Sequence, residues 1–504
     1  MSRKKWLLAS LVLFAFCYLL IVQLRAIWPF TIDDMYISLR YARHWAEGKG
    51  LLWNPAEAPV EGYSNFSFVV LAAAALRLKL DAVLVLKGIG VFGLYLSTLA
   101  LYCLSRLWLS LWLAFIPCLW MLVYSGQILW AVSGLETTVY QALICFSLFF
   151  LLRGMGYGFY PQQRKQPTLI FFISAGFLLA LAAMTRPEAP AFMLLFCILA
   201  LFDYPQRGKT NYYKALILFC FSFALFFLPY FFWRWFYYGR LFPNPVYCKG
   251  FAGFPALSLD KTYLGLAWPF FILAAFAVFR KKDKRHYFLW LPSLLYLGLL
   301  IGADPVVAFA NRLFLPAFIL LLPLACQGLC CLLDYFLHEK DEIYYASLLA
   351  ASFFVAFFFI PSMSLADYRY FAINPQAGIR LRQEVGTWLG KNIPAGSQVL
   401  LADSGMIPFR SSLNFIDSYC LNNKSMTRAP REMMYQRLCQ EALVQKPAVI
   451  ILTSLVEKGE VIYTPTDLCL HKQLIENKAY QLRRSYQTGN QQSAYRYEIY
   501  TLLN

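Results

Sequence analysis

Long apolar stretches separated by short polar loops run from Trp6 to about residue 361. Apolar runs of roughly 18 or more residues are long enough to cross a bilayer. The pattern predicts eleven crossings, near residues 6–28, 86–105, 107–124, 137–153, 167–184, 188–203, 212–238, 262–280, 286–301, 312–334 and 343–361. One further apolar run, Phe66 to Leu78, has only 13 residues and ends in Arg77 and Lys79, which predicts a juxtamembrane or re-entrant helix. The pattern changes at Ser362, after which composition is that of an ordinary soluble domain. There, Arg380 to Leu389 reads as an amphipathic helix, and 397–402, 413–416, 448–452 and 495–502 read as strands. Alternating helix and strand predicts a small α/β domain. The expected fold is therefore a polytopic α-helical membrane module, 1–361, with its first loop at 29–66, followed by an extracytoplasmic α/β domain at 362–504.

Charge orients this pattern. The 504 residues are 60% hydrophobic and only 14% charged, yet carry a formal net charge of +18. Cytoplasmic loops are enriched in Lys and Arg. Arg3, Lys4 and Lys5 precede the first run, so the N-terminus is expected inside and loop 29–66 outside. Arg106, Arg153, Arg164, Lys165, Arg207, Lys209, Lys214 and the dense run Arg280 to Arg285 then all fall inside; His338 to Glu342 also falls inside and is not basic. Counting Phe66–Leu78 as a crossing would reverse every later loop. An odd count places the tail on the same outer side as the first loop. The N-terminal apolar run lacks a small-residue cleavage site and reads as an uncleaved anchor. Basic residues scattered between spans exclude nucleic acid as a partner. The 13 cysteines contain no CxxC pair and no Cys/His metal spacing. Most lie in apolar runs, while Cys420, Cys439 and Cys469 lie in the tail, where a disulfide is open.

The outer loops hold the chemistry-bearing residues. Asp33 and Asp34 leave the first span side by side, and neighbouring carboxylates call for a cation, a metal or a strong donor nearby. Arg40 and Arg43 are three apart on a predicted helix and share a face. His44, Glu61 and Tyr63 follow, with His44 read as structural. Other outer loops carry Glu136; Arg186 with Glu188; Asn244 and Lys249; and Asp304 with Arg312. Ionisable groups at membrane depth mark pathways or sites. A carboxylate beside cations at a membrane surface suits deprotonation of a hydroxyl next to a phosphate. Asp34, slightly ahead of Asp33, is the expected general base. Arg186, Lys249 and Arg312 are the expected phosphate ligands, helped by Arg40 and Arg43. Asp34 and Glu61 are also candidate oxygen ligands for a divalent cation such as Mg, Mn or Ca. Asp403 and Asp417 end strands in the tail and read as caps.

The first loop carries Asp33-Asp34-Met35-Tyr36-Ile37, Arg40-Tyr41-Ala42-Arg43, Gly48-Lys49-Gly50-Leu51, Asn54-Pro55 and Glu61-Gly62-Tyr63, in that order. Later loops carry Ser133-Gly134-Leu135-Glu136, Arg186-Pro187-Glu188, Tyr238-Gly239-Arg240 and Gly302-Ala303-Asp304-Pro305. This set resembles the GT-C glycosyltransferases, in particular the branch containing the mycobacterial terminal arabinofuranosyltransferases. The resemblance covers about 330 residues. Three positions depart from it: Arg240 stands for an acid, Ala303 for a glycine and Pro305 for a tryptophan. The resemblance implies a polytopic enzyme taking a sugar from a polyprenyl-phosphate donor to a hydroxyl on an envelope glycan or glycolipid. Glu61, Arg40, Arg43, Tyr63, Glu136, Arg186, Glu188, Asn244, Lys249, Asp304 and Arg312 would contact substrate. One base and a good leaving group imply inversion, since retention through a glycosyl-enzyme needs a second, opposed carboxylate. The competing reading is a lipid or glycan transporter, which would want internal repeats and interrupted mid-membrane helices; no convincing repeat is present.

Overall fold

The computed structural model describes residues 17–503 except 56, 163, 204–208, 251–256, 338–341, 427–430, 477 and 490–492. Residues 6–16 of the first expected span, Arg3 to Lys5, Arg207 and most of the 338–342 loop therefore lie outside the described residues. Helix α1 is Cys17–Ala26. It is followed by α2 (Asp34–Ala46), α3 (Phe66–Arg77), α4 (Ala82–Ser105), α5 (Phe115–Val123), α6 (Ser125–Val132), α7 (Thr137–Gly154), α8 (Leu169–Thr185), α9 (Ala189–Phe202) and α10 (Lys209–Tyr238). Then come α11 (Ser258–Arg280), α12 (Tyr287–Leu299), α13 (Leu315–Phe336) and α14 (Glu342–Phe359).

Every expected span falls at least in part on a described helix, and these helices differ in length. Among the described residues six helices are long and apolar enough to cross by themselves, or seven if α5 and α6 act as one broken span. Three other runs fold as α8, α9 and α12, of at most 17 residues, and α1 is the described part of the first run. At 1.5 Å per residue the 14-residue α9 reaches only about 21 Å, short of a hydrocarbon core of about 30 Å. The run at 107–124 is not one helix. Residues 107–114 form turns, and α5 and α6 meet at a 71° bend. The bend is at Tyr124, whose backbone is extended, whose hydroxyl donates to Ala310 O at 3.0 Å, and whose neighbour Ser125 donates its N–H to Pro361 O at 2.8 Å. Phe66–Leu78 is the short helix α3, as its length predicts.

Loops of opposite parity meet at opposite ends of the bundle. At one end Arg285 donates to Leu107 O, Lys284 to Phe202 O and Arg164 to Asp203, while Tyr160 N–H bonds Arg106 O. At the other end the first loop meets those at 133–138, 185–188 and 238–249. Lys87, near the start of α4, reaches across this end to the carbonyls of Trp28 and Phe30, satisfying the chain where it leaves α1.

The tail begins with α15 (Leu365–Asn392), opened by a capping box between Ser364 and Asp367. The remaining elements are β1 (Gln398–Leu401), α16 (Met406–Phe409), β2 (Asn414–Asp417), α17 (Arg431–Val444), β3 (Val449–Glu457), β4 (Glu460–Tyr463), α18 (Pro465–Glu476), β5 (Tyr480–Gln487) and β6 (Ser493–Leu502). They form one mixed sheet of order β2-β1-β3-β6-β5, with β4 on β3. β2, β1 and β3 are parallel, and β6 and β5 continue antiparallel. The four strands expected from sequence are β1, β2, β3 and β6. Strands β4 and β5 lie largely exposed, and their polar residues carry no alternation to read. Two disulfides are present: Cys439–Cys469 within the tail, and Cys248–Cys420, which ties the loop after α10 to the tail.

Candidate active site

Helix α2 positions the site. Asp33 occupies its N-cap and Asp34 its first turn, but neither makes a side-chain capping bond. The two carboxylates diverge because successive helical residues point about 100° apart. Asp34 stays open, its side chain 44% exposed, with Lys249 Nζ 3.9 Å from Oδ2. Lys249 lies in a π-helical turn, Val246–Gly250, that begins just after Pro245. It also sits over the Tyr419 ring at 5.3 Å. Tyr419 donates its hydroxyl to Asp304 Oδ2 at 3.0 Å, and Asp304 N–H bonds the Lys249 carbonyl at 2.8 Å. Three separate loops thus converge on Asp34.

Ser38, one turn after Asp34 on the same face, donates to Asn65 Oδ1 at 2.8 Å. Asn65 donates to Glu136 Oε2 at 3.0 Å. Glu136 is the hub of an ionic cluster: Arg186 Nη1 lies 2.6 Å and Arg312 Nη2 2.8 Å from its Oε1. Arg186 also grips Glu188 with two nitrogens, at 2.7 and 3.1 Å. Burial would raise the Glu136 carboxyl, but Arg312 and Arg186 outweigh it and hold it down at about 2. Arg312 lies over the Trp130 ring at 5.0 Å and bonds Thr137 Oγ1 at 3.2 Å. The sequence-predicted Glu136, Arg186, Glu188 and Arg312 are therefore brought together, and Ser38 and Asn65 connect them to the Asp34 helix.

Other predicted residues face elsewhere. Asp33 turns into the tail, where Arg382 on α15 lies 3.2 Å from its Oδ1 and Met406 N–H donates to it at 3.0 Å. Burial and then Asp403 push the Asp33 carboxyl well above its ordinary range, while Arg382 opposes them. Arg40 is fully buried; its guanidinium is used by the carbonyls of Trp53, Pro408 and Leu413 and by Asn54 Oδ1. Arg43 donates to the carbonyls of Phe409 and Ser411. These two arginines share a face, as their spacing predicts, but that face clamps the tail. The Tyr63 hydroxyl pairs with that of Tyr238 at 2.9 Å. Asn244 donates to the carbonyls of Cys420 and Leu421, and Arg240 donates to its Oδ1 at 2.8 Å. His44 Nδ1 lies 2.8 Å from Leu52 O, a structural role. Asp417 accepts the N–H groups of Tyr419 and Asn422, as a strand-end cap does.

Glu61 is buried with both carboxylate oxygens lacking a hydrogen-bond partner, and Arg234 Nε stands 3.5 Å away. Burial pushes it up to about 8, against the pull of Arg234. Asp34 and Glu61, the candidate cation ligands, are thus each faced by a cationic side chain. Among the described residues no three Asp, Glu, His or Cys side chains converge as a metal site. The chemistry below rests on side chains alone. Sequence reading missed Tyr419, Arg382, Arg234, Ser38 and Asn65. Only Tyr419, two residues after a strand-end aspartate, carried any local signal.

A polytopic bundle with its open carboxylate under an α/β cap has the GT-C fold, and solved structures share it. The structure of ArnT from Cupriavidus metallidurans bound to undecaprenyl phosphate matches at TM-score 0.57 and 11% identity, over 98% of both chains. The oligosaccharyltransferase AglB from Archaeoglobus fulgidus, in complex with an inhibitory peptide and a dolichol-phosphate, matches at 0.55 and 12%, over 89% of this chain and 74% of that one. The arabinofuranosyltransferase AftD from Mycobacteria matches at 0.51 and 14%, over 100% of this chain and 42% of that longer one. Residues 369–500 match the family described as a domain of unknown function, DUF8728. No curated protein matches the chain.

Proposed function

We propose that this protein is a membrane glycosyltransferase that moves a sugar from a polyprenyl-phosphate donor to an acceptor hydroxyl, with Asp34 as general base. The observation that carries this reading is the Asp34 carboxylate, open to its surroundings beside Lys249 at the seam of bundle and tail. A donor's polyprenyl tail stays in lipid, which delivers its sugar phosphate to this end of the bundle. Asp34 takes the proton of the acceptor hydroxyl. The acceptor oxygen then attacks the anomeric carbon from the face opposite the phosphate, the C–O bond to phosphate breaks, and the configuration inverts. Lys249 is placed to hold the departing phosphate as a point charge. Arg186 and Arg312 are already paired with Glu136 and Glu188, so they add a neutralised wall rather than free positive charge.

Two observations support the assignment of the membrane side. The loops meeting at the other end hold Arg106, Arg153, Arg164, Lys165 and the 280–285 basic run. The four paired cysteines lie at the Asp34 end or in the tail, whereas the nine free ones all precede the tail. Disulfides persist in oxidising compartments. Both support an extracytoplasmic active site on the outer face of a bacterial inner membrane.

The test is transfer of radiolabelled sugar from a panel of polyprenyl-phosphate sugars to membrane extracts by purified wild-type and Asp34→Asn protein. Loss of a general base slows transfer by about 10²–10⁴-fold. Donor binding is expected to survive in the variant. Near-normal transfer by Asp34→Asn removes the assignment. Movement of intact lipid across vesicles without sugar transfer would favour a transporter.

A further inference from the structure

On the side of α2 turned away from Asp34, a cavity of about 420 Å³ opens between the first loop and the tail. It is lined by Arg40, Arg43 and His44 of α2, by Glu47 at its C-cap, by Lys49, and by residues 410–414 after α16. At about 100° per residue, Arg40, Arg43, His44 and Glu47 fall on one helix face, and Asp34 and Ser38 on another. The cavity is thus separate from the site described above.

Its electrostatics are one-sided. Four cations, Arg40, Arg43, Lys49 and Arg410, face a single carboxylate, Glu47, which Lys49 holds at 2.6 Å. Among the described residues no carboxylate lies within ion-pair distance of Arg40 or Arg410. Arg43 Nε is buried without a hydrogen-bond partner, its nearest carboxylate oxygen 3.9 Å away on Glu47. Burial chiefly, and then the charges of Arg40 and Arg43, push His44 down to about 4. Ser411, Ser412 and Asn414 add polar groups, whereas Pro55 and Leu413 are the apolar part of the lining. The volume is that of a small-molecule site. A low-dielectric cleft with unbalanced cations focuses anions, and the polar walls suit hydroxyls better than acyl chains.

We propose that this cleft binds a phosphate group carried on a saccharide, as an anchoring subsite for an anionic acceptor. The role as an acceptor subsite rests on the glycosyltransferase reading; binding itself does not. Arg410 and Lys49 supply the charge-assisted contacts, and the serines and Asn414 meet the sugar.

Equilibrium binding of glucose 1-phosphate to the full-length protein, in neutral nanodiscs and without polyprenyl donor, tests this. Glucose and inorganic phosphate serve as controls. The wild type is expected to bind glucose 1-phosphate more tightly than phosphate and to bind glucose weakly or not at all. The double substitution Lys49→Ala with Arg410→Ala, at surface positions, is expected to weaken binding at least tenfold. Asp34→Asn is expected to bind like wild type. Absence of binding at millimolar ligand, or equal binding by the double variant, overturns the proposal. Binding only to vesicles rich in phosphatidylglycerol, lost in the double variant, also overturns it and assigns the cleft to lipid. Failure of sugar transfer with intact glucose 1-phosphate binding would instead count against the enzymatic reading alone.

Discussion

Glu136 and Glu61 are both buried carboxylates at the same end of the bundle, and their neighbours drive them in opposite directions. Glu136 touches two guanidinium groups and sits at about 2, below its ordinary 4.5. Its contribution to stability is therefore present above about 4.5 and lost as pH falls toward 2. Glu136→Gln leaves Arg186 and Arg312 short of a partner; breaking a buried pair costs about 3–5 kcal/mol. Thermal unfolding in detergent should show this loss at pH 7 and a narrowing difference from wild type below pH 4. Glu61, raised to about 8, has the reverse sign. Its contribution is present below about 4.5 and lost as pH rises through 8. Glu61→Gln should match wild type near pH 4 and gain on it in melting temperature as pH rises from 5 to 8. An unchanged wild-type profile over that range would show that Glu61 titrates normally.

Helix α2 and the 405–422 segment of the tail fit together through glycine. A Cβ on Gly405 would stand 1.9 Å from Asp33 Oδ2 and 2.4 Å from the Asp33 carbonyl oxygen. A Cβ on Gly62 would stand 1.7 Å from Asn422 Oδ1. Asn422 can swing aside, but the Asp33 backbone cannot. Gly405→Ala should therefore undock the tail from α2, seen as faster limited proteolysis in the 402–414 region, while Gly62→Ala should have the milder effect. Equal protease resistance of Gly405→Ala and wild type would mean that α2 and the tail do not meet in this way.

The membrane module and the tail are held as one molecule by Cys248–Cys420, which joins residues 172 apart. The cysteines adjoin Lys249 and Tyr419, so the covalent link holds together the two side chains that face Asp34 and Asp304. With a protease site inserted after Ser362, the cut protein should run as a single species on non-reducing gels and as two after reduction. Cys248→Ser should separate the halves without reductant. It should also lower transfer if the link positions Lys249, and leave donor binding by the bundle measurable.

Much of this was legible along the chain. Apolar run length located each described membrane helix, because burying apolar length in lipid is a local property of a segment. Loop charge sorted the loops into two sets that meet at opposite ends, and the resemblance carried by the first loop named the fold. The strands of the tail core announced themselves by runs of Val, Ile and Leu at 399–401 and 449–452. Tertiary structure alone decided which of Asp33 and Asp34 stays open, because one turn of helix directs Asp33 to Arg382, distant by hundreds of residues, and Asp34 to Lys249. It also decided that Arg40 and Arg43 clamp carbonyls of the tail while Glu136 gathers Arg186 and Arg312. Residue type and spacing show which charges exist and which share a helix face; what lies across that face is set by packing between segments far apart in sequence.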